Sequence, residues 1–202
     1  MRNTRSGNIY KFEMEFNQGW AFAELLDYSD ISEFDGRMIQ VFNITDTNKN
    51  QNLMTVDEII NSGVLFGPAP LNKYPNVKGR NAWILYGRNE RCSTKTVITK
   101  HLRGLLAKDN WSELKPWFKQ FPFQSEQAPI ECNYEEVRNL ETMILNHPDT
   151  VRTKITMMKL IEKHEKINKY YDLKDIGNRN LFVQIVNTYY SKEQAKKLLE
   201  QL

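Results

Sequence analysis

The sequence predicts an α+β protein: an antiparallel sheet, able to curl towards a barrel, followed by a helical C-terminal region. Three features predict it. Apolar residues alternate with a period of two near the N-terminus, prolines and glycines break up the middle, and from Asn133 the apolar residues recur with a period of 3.6. The change of period divides the chain into a strand-rich part, 1–125, and a helical part, 126–202, expected to pack as one unit. Ten Phe, nine Tyr and four Trp supply enough apolar area for a real core.

In NIYKFEMEF, Tyr10, Phe12, Met14 and Phe16 alternate with Lys11, Glu13 and Glu15, as in a half-buried strand. Asn17-Gln18-Gly19 predicts a tight turn, with Gly19 able to take a positive φ, and Trp20 to Leu26 returns as the second strand. Residues 27–36 are a polar loop. Arg37 to Ile44 is apolar on both faces, so it belongs inside the sheet. Thr55-Val56-Asp57-Glu58 is a capping box opening a short helix, which Gly63 can end. Val64-Leu65-Phe66 reads as strand, and Pro68, Pro70 and Pro75 predict irregular chain after it. Asn81 to Gly87 predicts a compact, wholly apolar strand. Trp111 to Ile130, broken by Pro116, Pro122 and Pro129, predicts a connection draped across the first part.

Tyr134, Val137, Leu140, Met143 and Ile144 predict a helix ending near Asn146. Pro148 opens a second, with Val151, Ile155, Met158 and Ile161 as its apolar stripe. Leu181, Phe182, Ile185, Val186 and Tyr189 mark a third. Ser191 with Gln194 caps a fourth, striped by Ala195, Leu198, Leu199 and Leu202.

No apolar run reaches membrane-spanning length and the N-terminus has no apolar leader, so a cytoplasmic protein is expected. Cys92 and Cys132 read as reduced thiols. His101, His147 and His164 fall in separate segments without ligand spacing, and no phosphate loop, nucleophile elbow or zinc-protease motif occurs. Neither metal, cofactor nor enzymatic activity is expected. His147-Pro148-Asp149 copies the tripeptide with which J-domain co-chaperones stimulate an ATPase. The preceding segment carries Glu135, Glu136 and Glu141 against Arg138, the wrong sign for that role. Helix punctuation explains it: Pro148 loses no bond at the first helical position, and Asp149 suits the positive end of the dipole.

Charge is uneven. Residues 1–72 are net −5 and residues 73–119 net +8. The basic stretch interleaves cations with Trp83, Tyr86, Trp111 and Trp117, a composition that can track phosphates and stack bases. A nucleic-acid-binding module is therefore the second functional reading, although the overall pI of 8.7 is low for that class.

The order of blocks resembles the bacterial polymorphic-toxin immunity proteins of the immunity protein twenty-six type. The blocks are Gly7 to Phe12 with the Gly19 turn and Trp20 to Ala23; Val64-Leu65-Phe66; Trp83 to Gly87 followed by Asn89; Pro116 to Gln120 around Phe118; Leu140-Glu141; and Val151 to Ile155 around Arg152. They span residues 7–155. Asn139 stands where the family has glycine, and residues 156–202 extend beyond the resemblance. It implies a bacterial protein that binds and neutralises a cognate toxin. Gly7, Trp20, Trp83, Gly87, Phe118, Leu140, Glu141 and Arg152 are expected to be structural, with Glu141 pairing with Arg152 or Lys154 to orient the last helices. Because many such toxins are basic nucleases, Asp27, Asp30, Glu33 and Asp35 are the expected contact residues.

Overall fold

The computed structural model describes residues 6–28, 36–47, 54–79, 81–92, 101–103, 117–120, 130–138, 140–142 and 144–202. Five strands form one sheet: β1 (Asn8–Glu13), β2 (Trp20–Asp27), β3 (Arg37–Asp46), β4 (Val64–Pro70) and β5 (Ile84–Arg88), in the order β4-β3-β2-β1-β5, all antiparallel. The β1–β2 connection is a 3-10 turn (Glu15–Asn17) that ends the expected strand early and leaves Phe16 exposed; Gly19 closes it at φ 94, where a Cβ would lie 2.6 Å from the Asp46 carbonyl oxygen of β3. Strand β3 lies between β2 and β4, as its two-sided apolarity requires. Helix α1 (Val56–Asn61) follows the predicted capping box and covers one sheet face through Ile59, against Ile9, Phe22 and Phe42.

The opposite face carries the main core. Helix α3 (Pro148–Glu162) and helix α4 (Ile176–Tyr189) bring Val151, Ile155, Met158, Phe182 and Ile185 onto Phe12, Leu25, Val41, Phe66 and Trp83. The strand-rich and helical parts thus share one continuous apolar cluster. Trp83 stacks on Phe12 with ring centroids 4.2 Å apart, a contact worth about 0.5–1.5 kcal/mol beyond its area. Polar bonds fix the helical layer: Lys159 Nζ donates to Asn43 Oδ1, Glu15 N donates to Thr156 Oγ1, and Tyr171 Oη donates to Glu15. Helix α5 (Lys192–Leu199) starts at the Ser191–Gln194 capping box and buries Ala195.

A smaller sheet, in the order β8-β7-β6-β9, joins β6 (His101–Arg103), β7 (Trp117–Gln120), β8 (Ile130–Cys132) and β9 (Glu141–Thr142). Trp117 packs with Tyr134, Val137 and Val183 beneath it.

The α+β class stands: the main sheet is antiparallel and open, β4 and β5 ending it separately, without the barrel closure the sequence allowed. Other expectations need correction. The helix expected up to Asn146 is a single turn, α2 (Tyr134–Val137), followed by β9 pairing parallel with β6. Its apolar spacing continues past Val137, but the chain leaves the helix there: Glu141 and Thr142 are buried in β9, while Ile144 is exposed. Trp117–Gln120 is a strand rather than a plain connection. Strand β4 runs on through Pro68 and Pro70, which an edge strand tolerates because missing donors there break no ladder.

Candidate functional site

The two ends of the main sheet differ, and the residues singled out from sequence gather near them. At the β4 end the chain returns to close the edge. Asn146 N donates to the Pro70 carbonyl at 2.8 Å, Asn72 N donates to the Asn146 carbonyl at 3.1 Å, and Asn146 Nδ2 adds a bond to Pro70. Lys154 on α3 holds this plug: its Nζ donates to Asn146 Oδ1 at 2.8 Å and lies 5.3 Å from the Phe66 ring centroid. Lys154 is 1% exposed and Glu141, on β9, is 7% exposed. Burial pushes the Glu141 carboxyl up to about 7, with the Lys154 charge opposing that rise. Burial pushes Lys154 down to about 8, again opposed by its partner. Glu141 Oε1 has no hydrogen-bond partner. Of the two cations expected to pair with Glu141, Lys154 is the one whose charge acts on it, through space rather than in an ion pair within 4 Å.

Arg152, two residues before Lys154 and so on another side of α3, points elsewhere. Its Nη2 lies 3.8 Å from Glu15 and 3.6 Å from Asp149, and its buried Nε has no partner. It lines a cavity of about 250 Å³ with Phe12, Glu13, Trp20, Ala82 and Ile84, beside the β5 end of the sheet. Here Ile84 and Leu85 are 52% and 58% exposed, against the expectation of a fully apolar buried strand. The reason is position: β5 pairs with β1 alone among the described residues, so only Trp83 before it and Tyr86 within it turn onto neighbours.

The glycines of the resemblance sit at close approaches. Gly7 takes φ 84, and a Cβ there would fall 2.6 Å from the Asn89 carbonyl oxygen; Asn89 N donates back to the Gly7 carbonyl at 2.7 Å. A Cβ on Gly87 would meet Val56 Cγ2 at 2.6 Å, so this glycine admits the start of α1. Asn89 Nδ2 also donates to Glu24 at 2.9 Å, and Gln40 Nε2 donates to the same buried carboxylate at 2.6 Å. Next to it, burial and Glu24 push the Cys92 thiol up to about 11, so it stays protonated at neutral pH. Neither cysteine is in a disulfide. Leu140 packs on the smaller cluster of Trp117 and Val137, and Phe118 lies in β7.

Of the expected acidic contacts, Asp27 ends β2 and accepts a bond from the Tyr74 hydroxyl at 2.9 Å. Asp30, Glu33 and Asp35 lie outside the described residues. His147 serves as the cap of α3, its Nδ1 accepting from Asp149 N at 3.2 Å, which is the punctuation predicted for His147-Pro148-Asp149. Among the described residues no cluster of His, Cys, Asp and Glu could hold a metal ion, and no helix is long and apolar enough to cross a membrane. A wider, open groove of about 750 Å³ lies between the end of α3 and α5, lined by Ile161, His164, Tyr190 and Leu198 among others.

Sequence reasoning missed Ala82 and Ile84 as cavity residues and Asn146 as the plug. The signal for Asn146 was present: a buried polar residue just before a helix start needs partners, and the prolines of β4 left a carbonyl to supply. No family model matches the chain, and neither a curated protein nor a solved structure matches it.

Proposed function

We propose that the protein is an immunity protein that neutralises a bacterial toxin by binding it. The observation that carries this reading is how the blocks of the resemblance meet. They are scattered over residues 7–155, yet Gly7 locks onto Asn89 and Trp83 stacks on Phe12. A scaffold so tied at its motif positions is free to vary its surface, as a binder matched to one toxin requires.

A nucleic-acid module would need aromatic faces open to bases. Trp83 and Trp117 are buried, and the Tyr86 hydroxyl is tied to the Met54 carbonyl, so these three offer little stacking surface; Trp111 lies outside the described residues. The test is co-expression with a toxin domain encoded beside the gene. Rescue of growth by this chain, and a stable complex on gel filtration, are the expected results. Failure to rescue, together with salt-dependent binding to generic duplex RNA or DNA, would overturn the reading.

A further inference from the structure

The described residues 141–142 and 144–146 join the two sheets. At one end Glu141 and Thr142 pair with His101 and Leu102 of β6; at the other Asn146 pairs with Leu71 and closes the β4 edge. Apolar burial does not pin the stretch before Asn146, because Ile144 and Leu145 are 37% and 50% exposed. Polar contacts hold this strap instead. Gln184 Nε2 on α4 donates to Thr142 Oγ1 at 2.6 Å, and Lys154 Nζ on α3 donates to Asn146 Oδ1 at 2.8 Å. An edge segment tied in this way is the kind of unit that opens apart from the global fold.

Under the strap lie two buried ionisable side chains, Glu141 and Lys154. One Glu141 oxygen has no hydrogen-bond partner, so water would solvate the carboxylate better than this site does. The closed strap therefore favours the neutral acid, and opening returns the carboxylate to water. Few other charges act there. One turn from Lys154 on α3 stand Thr150, Val151, Met157 and Met158, all uncharged, and β4 carries no charge. Glu135 and Glu136 of α2 are exposed, and the Arg37 guanidinium lies against the Tyr74 ring. Two histidines are near: His101, in register with Glu141, and His147, next to Asn146 and bonded to the Asp149 amide. Histidine is the residue type that changes charge near neutral pH, so the test has to separate these two from Glu141.

We propose that this strap is tightened by acid: protonation of Glu141 clamps it on the β4 edge, and ionisation of Glu141 loosens it while the rest of the sheet stays closed. The sign follows from linkage. In the closed strap the Glu141 carboxyl is raised from 4.5 to about 7, so between those values the closed form holds a proton that the open form gives up, and acid favours closure. Lys154, lowered to about 8, keeps its charge across that range. The strap is loosest between about 7 and 8, and below that its opening constant falls by up to about tenfold per pH unit. Opening exposes the Pro70 carbonyl and the Asn72 amide, the groups that Asn146 covers. None of this depends on the immunity reading.

Native-state hydrogen exchange of the full chain, corrected for the intrinsic pH dependence of exchange, tests the proposal. Between about pH 7.5 and about pH 5.5 the protection of the Asn72 and Asn146 amides is expected to rise roughly tenfold or more, with the β1–β2 ladder unchanged. Glu141→Gln keeps both histidines and should lose that rise. A rise of the same size in this variant assigns the response to the histidines and overturns the proposal. Protection that changes equally across the whole sheet also overturns it, since the strap then does not open on its own. A carbon-13 NMR titration of the Glu141 carboxyl in the parent needs no variant to fold. A midpoint near neutrality is expected; a midpoint in the ordinary glutamate range removes the proton that the strap is said to hold.

Discussion

At the β4 edge, Pro68 and Pro70 remove two backbone donors, and Asn146 takes the Pro70 carbonyl. At the β5 edge, Ile84 and Leu85 stand exposed beside a cavity, and nothing in the strand before Arg88 discourages pairing. Both strands end the same sheet, so both meet the same hazard of adding a foreign strand. The closed edge needs three buried polar residues, Asn146, Lys154 and Glu141, each costly to bury unless paired. Among the described residues nothing comparable covers the β5 edge. The contrast teaches that closing an edge draws on buried polar groups, which must find partners to be worth their burial.

The largest way to break this contrast is to remove the cation that holds the plug. Lys154→Met leaves Glu141 buried without its counter-charge and Asn146 Oδ1 without its donor. A loss of about 3–5 kcal/mol in urea unfolding is expected. The double variant Glu141→Gln with Lys154→Met should recover most of it, and a double variant as unstable as the single one would sink the electrostatic account. The same pair makes stability depend on pH. Glu141 is raised in the fold from 4.5 to about 7, so its share of stability is complete below 4.5 and is lost as pH rises through about 7. Lys154 is lowered from 10.5 to about 8, so its share is complete above 10.5 and is lost as pH falls through about 8. The stability of the parent relative to the double variant should therefore be lowest between these two midpoints and rise on both sides. A flat difference in unfolding free energy across that range speaks against a buried charged pair.

The strand half was legible in part: Tyr10, Phe12 and Met14 do face the core and Arg37 to Ile44 does lie inside the sheet, but Phe16, next in the alternation, falls in the turn and is exposed. The capping boxes at Thr55 and Ser191 and the start of α3 at Pro148 were legible because they are local chemistry. What failed was whatever depended on a distant partner. Tyr134, Val137 and Leu140 satisfy a helical spacing, but the chain turns after Val137 because β6 offers Glu141 and Thr142 a backbone to pair with. Apolar Ile84 and Leu85 looked buried because composition cannot tell an edge strand from a central one. The cavity was hidden for the same reason, since Arg152 and Ile84 meet only through the packing of α3 on the sheet.

A smaller perturbation acts on the plug itself. Asn146→Ala removes the side-chain bonds to the carbonyls of Pro70 and Ile144 and the acceptor for Lys154. A loss of about 1–3 kcal/mol is expected from the buried groups left unpaired. Hydrogen exchange should show the effect locally, with the Asn72 amide losing protection while the β1–β2 ladder keeps its own. Uniform loss across the sheet would mean that Asn146 supports the core at large rather than this edge.

The smallest effect on stability is expected at the β5 edge. Ile84→Lys and Leu85→Lys replace side chains already more than half in solvent, so each should stay within about 0.5 kcal/mol of the parent in urea unfolding. Trp83 still stacks on Phe12 and Tyr86 still meets Phe22, so the attachment of β5 to the sheet is untouched. Each lysine should also make the chain more soluble, because a charge on an open edge discourages strand pairing between copies. A loss of several kcal/mol would mean that Ile84 and Leu85 pack against something in the folded chain, and the open edge would then be closed.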